Sequence, residues 1–266
     1  MSGAIRGLDL SVLYSGTASS IAANGNPIQA LAQAEQNQTK KIAAEAHKPD
    51  VQRDLAAFRK AVAGAKDVKS LLANPAVQKV LLTANGLADQ IGFTALATKA
   101  LLSKTSDPKS LAKHLPNPAW KAAAATYDFA NKGLAVLRDP NVLNTITGAY
   151  AEISWRKSLD ATTPGLSDAL TFRDKAASVK KADDILGDPV LRRVVTTTLG
   201  IPLQIAFQTL NAQESAITSK LDIKQLKDKK FVETFARRYL VAAAADPAQV
   251  SPSMSQASIQ SFGLLL

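Results

Sequence analysis

The residues of this chain that could do chemistry are few, and their spacing argues against most of it. Two histidines, His47 and His114, stand far apart, so a metal centre built on imidazole would need both plus added carboxylates. Ser-x-x-Lys, the spacing of a nucleophile and base in serine acyl enzymes, occurs at Ser106–Lys109, Ser110–Lys113, Ser154–Lys157 and Ser178–Lys181. No Lys-Thr-Gly accompanies it, and a chain rich in Ser and Lys generates the spacing by chance. Asp183–Asp184 has the residue types of a general acid–base pair, but adjacent residues of a helix point to different faces. HExxH, a Walker loop, GxGxxG and GxSxG are absent. Cysteine is absent too, which removes thiol catalysis, disulfides and thiolate-bound zinc. These patterns predict a non-enzymatic protein with no catalytic, cofactor-binding or metal-ligating residue.

The elements behind these residues are written twice. Residues 54–87 align without a gap on residues 168–201, a constant shift of 114. Asp54, Phe58, Arg59, Leu72, Pro75, Val80, Thr83 and Gly86 return as Asp168, Phe172, Arg173, Leu186, Pro189, Val194, Thr197 and Gly200; further on, Gln90, Ile91 and Phe93 return as Gln204, Ile205 and Phe207. Val51, Leu55, Phe58 and Val62 follow the spacing of one helix face, which makes Phe58 and Phe172 the expected central core residues. Asn74–Pro75 and Asp188–Pro189 are helix starts: the Asx oxygen caps early N–H groups and Pro takes the first position, where no donor is lost. Gly86 and Gly200 are placed to end those helices. Weaker Asx-Pro echoes stand at Asp107, Asn117, Asp139 and Asp246. A helix bearing Trp120, Tyr127 and Phe129 is expected to close the first unit, and one bearing Phe231, Phe235 and Tyr239 the second. The expected structural core is therefore Phe58, Phe172, Pro75, Pro189, Val80, Val194, Gly86, Gly200, Trp120 and Phe231.

Composition favours helices. The chain has 266 residues, 46% hydrophobic but only 5% aromatic, so its core is aliphatic and its residues are good helix formers. The expectation is an all-α protein of two tandem, pseudo-symmetric repeat units: a mobile leader (1–26), a polar helix (27–48), unit one (49–138), a connecting helix and break (139–165, apolar at Val142, Ile146, Ala149 and Ile153), unit two (166–245) and an apolar tail (246–266). The polar helix needs a partner surface in this chain or another, and the function is expected in the leader, polar helix and tail, which occur once. No stretch approaches the length and apolarity of a membrane span, and no Sec signal pattern opens the chain.

A net charge of +10 invites nucleic acid, and the alternative reading is a cytoplasmic helical nucleic-acid-associated protein. The basic pairs are scattered, and the aromatic interleaving that stacks bases is missing. Arg192, Arg193, Arg237 and Arg238 form the candidate basic interaction face.

The Phe-Arg helix, the Leu-Leu-x-Asn/Asp-Pro start and the closing aromatic helix resemble a bacterial domain-of-unknown-function family, the twelve-seventeen family, over roughly residues 49–245. Its members often carry more than one copy and are often encoded beside flagellar genes in alphaproteobacteria. The resemblance implies protein partners of the flagellum, either as a component or in assembly. It also implies synthesis in the cytoplasm and export by the type III route. It carries over no catalytic residue.

Overall fold

A computed structural model describes residues 26–245, and among these the chain is all α, with no strand. The expected leader, apart from Asn26, and the expected tail lie outside the described residues. The helices are α1 (Pro27–Ala46), α2 (Pro49–Gly64), α3 (Val68–Ala73), α4 (Pro75–Ala84), α5 (Thr94–Leu101), α6 (Leu111–His114), α7 (Pro118–Tyr127), α8 (Phe129–Lys132), α9 (Ala135–Arg138), α10 (Pro140–Leu159), α11 (Leu166–Lys175), α12 (Ala182–Gly187), α13 (Pro189–Thr198), α14 (Leu210–Thr218) and α15 (Lys229–Ala245).

Local chemistry sets most of these boundaries. Asn74 Oδ1 accepts from the N–H of Ala76 at 2.9 Å, and Asp188 Oδ1 from those of Val190 at 2.9 Å and Leu191 at 3.1 Å. Asn117 and Asp139 cap α7 and α10 in the same way. Asp107–Pro108 starts no helix: Asp107 Oδ1 accepts from Lys109 N–H at 2.8 Å and closes a local turn. At the far ends Gly86 (φ 71°) and Gly200 (φ 60°) take the left-handed conformation. The next amides reach back five residues, Leu87 N–H to Leu82 O and Ile201 N–H to Thr196 O, each at 2.8 Å. Both are Schellman endings, and they stand 114 residues apart.

Two apolar cores result. The first gathers Leu55, Phe58, Val80, Leu81, Leu101 and Trp120, with Tyr150 from α10. The second gathers Phe172, Val194, Phe235, Tyr239 and Leu240, with Trp155 from α10 and Leu31 and Ala34 from α1. Phe172 and Phe235 stack with ring centres 5.3 Å apart. In the first core α2, α4 and α10 pack on one another; in the second α11, α13 and α15 do so. The polar helix α1 lies across both, against α2, α10, α11 and α15. Its partner surface is therefore in this chain, a correction to its expected freedom from any core role.

Three other expectations change. Pro75, Gly86 and Gly200 are exposed, and Pro189 and Phe231 are half-buried, because caps and helix endings work at the ends of elements, where the backbone turns through solvent. The helix seated on both α2 and α4 is α10, while α7, with Trp120 and Tyr127, packs on α5 and α6. Finally, of the expected Val142–Ile146–Ala149–Ile153 stripe α10 buries only Ile146, and it buries Tyr150, Ala151 and Trp155 beside it. It meets α4, α1 and α11 on different sides, and a helix enclosed from several directions has no single apolar stripe to read.

Candidate functional site

The residues expected to form a basic face are largely occupied by the fold. Arg193 donates to Asp168 through Nε at 2.6 Å and Nη2 at 2.8 Å, a two-pronged ion pair, and Tyr239 donates its hydroxyl to the same carboxylate at 3.0 Å. Burial works against the Arg193 charge, but the Asp168 bonds outweigh it, so its pKa lies above the ordinary arginine range. Burial followed by the Asp168 charge raises the Tyr239 pKa. Arg192 is half-buried and its pKa is lowered, first by burial and then by the Arg193 charge beside it. Arg237 pairs with Glu233 one turn back, and Arg238 is exposed. Of the four, Arg237 and Arg238 stand out from the surface, and Arg193 is a core anchor.

The first core holds the same arrangement. Asp54, the repeat equivalent of Asp168, accepts from Lys79 Nζ at 2.8 Å and from the Tyr150 hydroxyl at 2.6 Å. Burial raises the Asp54 pKa, but the Lys79 and Tyr150 bonds overcome it and the net shift is downward. Lys79 and Arg193 are 114 residues apart, a base for a base, and this signal was present in the alignment. Tyr150 and Tyr239 are not at that shift, so only packing brings them into register with the two aspartates. Each core thus holds one carboxylate clamped by a base and a phenol, which is a device for fixing three helices.

Several of the other chemical candidates are also used locally, whereas the buried Ser110 Oγ has no hydrogen-bond partner among the described residues. Ser154 Oγ donates to Tyr150 O at 2.8 Å and Ser178 Oγ to Lys175 O at 2.6 Å. Asp184 accepts from the N–H groups of Lys180 at 2.9 Å and Lys181 at 3.1 Å, while Asp183 pairs with Lys181. His114 Nδ1 lies 2.9 Å from Ser110 O. Among the described residues no group of three or more His, Cys, Asp or Glu could hold a metal, and no helix is long and apolar enough to cross a membrane.

What the repeat retains without burying it is apolar. Phe93 is 55% exposed and its repeat equivalent Phe207 is 67% exposed; Ile91 beside Phe93 is exposed and Ile205 half-buried. Phe93 follows the short 3-10 segment Ala88–Gln90 and Phe207 is the last residue of the segment Leu203–Phe207, both just past the Schellman endings. The retained sequence signal is the Gln-Ile-x-Phe string noted above.

No curated protein matches the chain. Its fold is shared with a crystal structure of a protein from Agrobacterium tumefaciens solved by a structural genomics consortium, at 24% identity, TM-score 0.67, covering 81% of this chain and 91% of that one. At this identity the likeness establishes the fold alone. Residues 84–232 match the family described as "Protein of unknown function (DUF1217)", a span that starts at the last residue of α4, crosses α10 and ends in the first turn of α15. With more than half of its length inside that match, the chain belongs to this family of unknown function.

Proposed function

We propose that the chain is a non-enzymatic, protein-binding protein that works with the flagellum, as a component or in its assembly, and that it reaches that place by export. The observation that carries the binding reading is the pair Phe93 and Phe207. A duplicated unit keeps its core residues because the core needs them; an aromatic kept at the same position of both units while exposed has no such reason. Two apolar corners on one chain fit a protein surface better than a small molecule. The flagellar part rests on the resemblance to the family whose genes neighbour flagellar genes. Duplication is part of the proposal: α2, α4 and α10 correspond to α11, α13 and α15, and the Asp54–Lys79–Tyr150 cluster to Asp168–Arg193–Tyr239. In this correspondence α10 closes the first unit as well as leading to the second.

The test is swimming of a deletion strain complemented with the wild-type gene or with Phe93→Ala/Phe207→Ala, together with a search for the protein in purified basal bodies. Loss of swimming, rescue by the wild type and failure of the folded double variant would support the reading. Normal swimming with no protein in basal bodies would end it. The nucleic-acid reading is weakened by the Arg193–Asp168 and Arg237–Glu233 pairs. If it held, binding would fall by orders of magnitude between about 50 and 200 mM salt.

A further inference from the structure

Beside the end of α13 and the last turn of α15 lies a cavity of about 500 Å³, walled by Ile201, Pro202, Leu203, Gln204, Ala242 and Ala245. None of the residues that line it is charged. Its rim is apolar as well: Leu203 is 45% exposed, and Val241 on α15, 54% exposed, stands one turn before Ala245 on the same side of the helix. Gly200, which lines it, has open space where a side chain would begin.

We propose that this cavity is the docking site of residues 259–266 of the same chain. Three observations choose that occupant. Ala245, the last described residue, is itself part of the cavity wall, so the chain leaves the described fold at the cavity. Residues 259–266 contain Ile259, Phe262, Leu264, Leu265 and Leu266 and no charged side chain, so these side chains would bury apolar surface against an uncharged wall without stranding a side-chain charge. Residues 246–258 form the tether; at about 3.4 Å per extended residue it reaches up to roughly 45 Å, more than enough to turn back onto the cavity. A tether this short holds the segment at an effective concentration on the order of millimolar, so even a weak apolar contact is filled. A free peptide must supply that concentration itself. The inference is independent of the flagellar reading.

The absence of cysteine makes the test clean. In the full-length chain, Gln204→Cys combined with Ser261→Cys changes none of the apolar residues of either partner. Lys69→Cys with Ser261→Cys is the control pair, since Lys69 is exposed on the first core. Under mild oxidation the 204/261 pair should close within one chain at least tenfold faster than the control, as read by mass spectrometry of the monomer. Adding Ala242→Glu, which puts a charge in the wall, should cut that yield several-fold with the circular dichroism spectrum unchanged. Equal rates for the two pairs, or a yield indifferent to Ala242→Glu, would overturn the proposal. A disulfide that forms between chains and scales with protein concentration would overturn it in favour of a second copy as the occupant.

Discussion

Asp54 and Asp168 show how a repeated carboxylate can look like chemistry and serve packing. Each is bound by a base 25 positions on and by a phenol from a distant helix, so its lone pairs are used within the fold. Asp168→Ala leaves the largely buried Arg193 guanidinium without its partner and should cost about 3–5 kcal/mol in urea melts. Phe58→Ala and Phe172→Ala, each removing a ring with no exposed surface, should also cost about 3–5 kcal/mol; a loss under about 1 kcal/mol for both would mean the rings do not hold the cores. Asp160 behaves differently. Burial pushes its carboxyl above the usual range, and the Ser167 N–H and hydroxyl offset this only in part. A carboxyl whose pKa is higher folded than unfolded destabilises the fold once ionised, and that penalty vanishes as pH falls below both values. Asp160→Asn should therefore be more stable than the wild type at neutral pH, with the gap closing as pH falls below about 4. Urea midpoints at the two pH values check the sign.

The helices are held by end chemistry as much as by faces. Asn74→Ala removes the acceptor of the Ala76 and Val77 amides and should lower stability by about 1 kcal/mol. Asp188 adds an ion pair with Lys175 at 2.5 Å to the same cap, so its loss should exceed that of Asn74 in the same assay. These starts and endings were legible in the sequence because Asx, Pro and Gly act within four residues of themselves. The fate of α1 was not legible. Its apolar residues are sparse, yet Leu31 and Ala34 are buried in the second core, Glu35 pairs with Arg173, and Gln38 donates to Glu152 at 3.3 Å.

For the molecule as a whole, the two cores are joined by α1 and α10, which pack on helices of both. Buried Arg156 near the end of α10 binds Glu152 of its own helix and Asp174 of α11. Two cores sharing two helices and the Arg156 ion pairs should unfold together, so intrinsic Trp fluorescence and circular dichroism should report one coincident urea transition. Trp120 reports on the first core and Trp155 on the second. Two separated transitions would mean that the bridge contributes little. Overlay of residues 54–93 on 168–207 in an experimental structure tests the proposed duplication directly; Phe58 and Phe172 in unrelated surroundings would end it.

The sequence by itself determined the all-α class, the caps, the glycine endings and the central Phe of each core. Each of these depends on residues a turn apart or on a helix face, and both kinds of information are local. Tertiary structure alone decided which helix sits on α2 and α4, that α1 spans both cores, that Arg193 is an anchor rather than a face, and that Tyr150 and Tyr239 complete the two clusters. Those outcomes join residues far apart in the chain, 96 positions between Asp54 and Tyr150 and 138 between Glu35 and Arg173. The reason is physical: a helix can choose its own ends, but the environment of its side chains is set by the helices that come to rest against it.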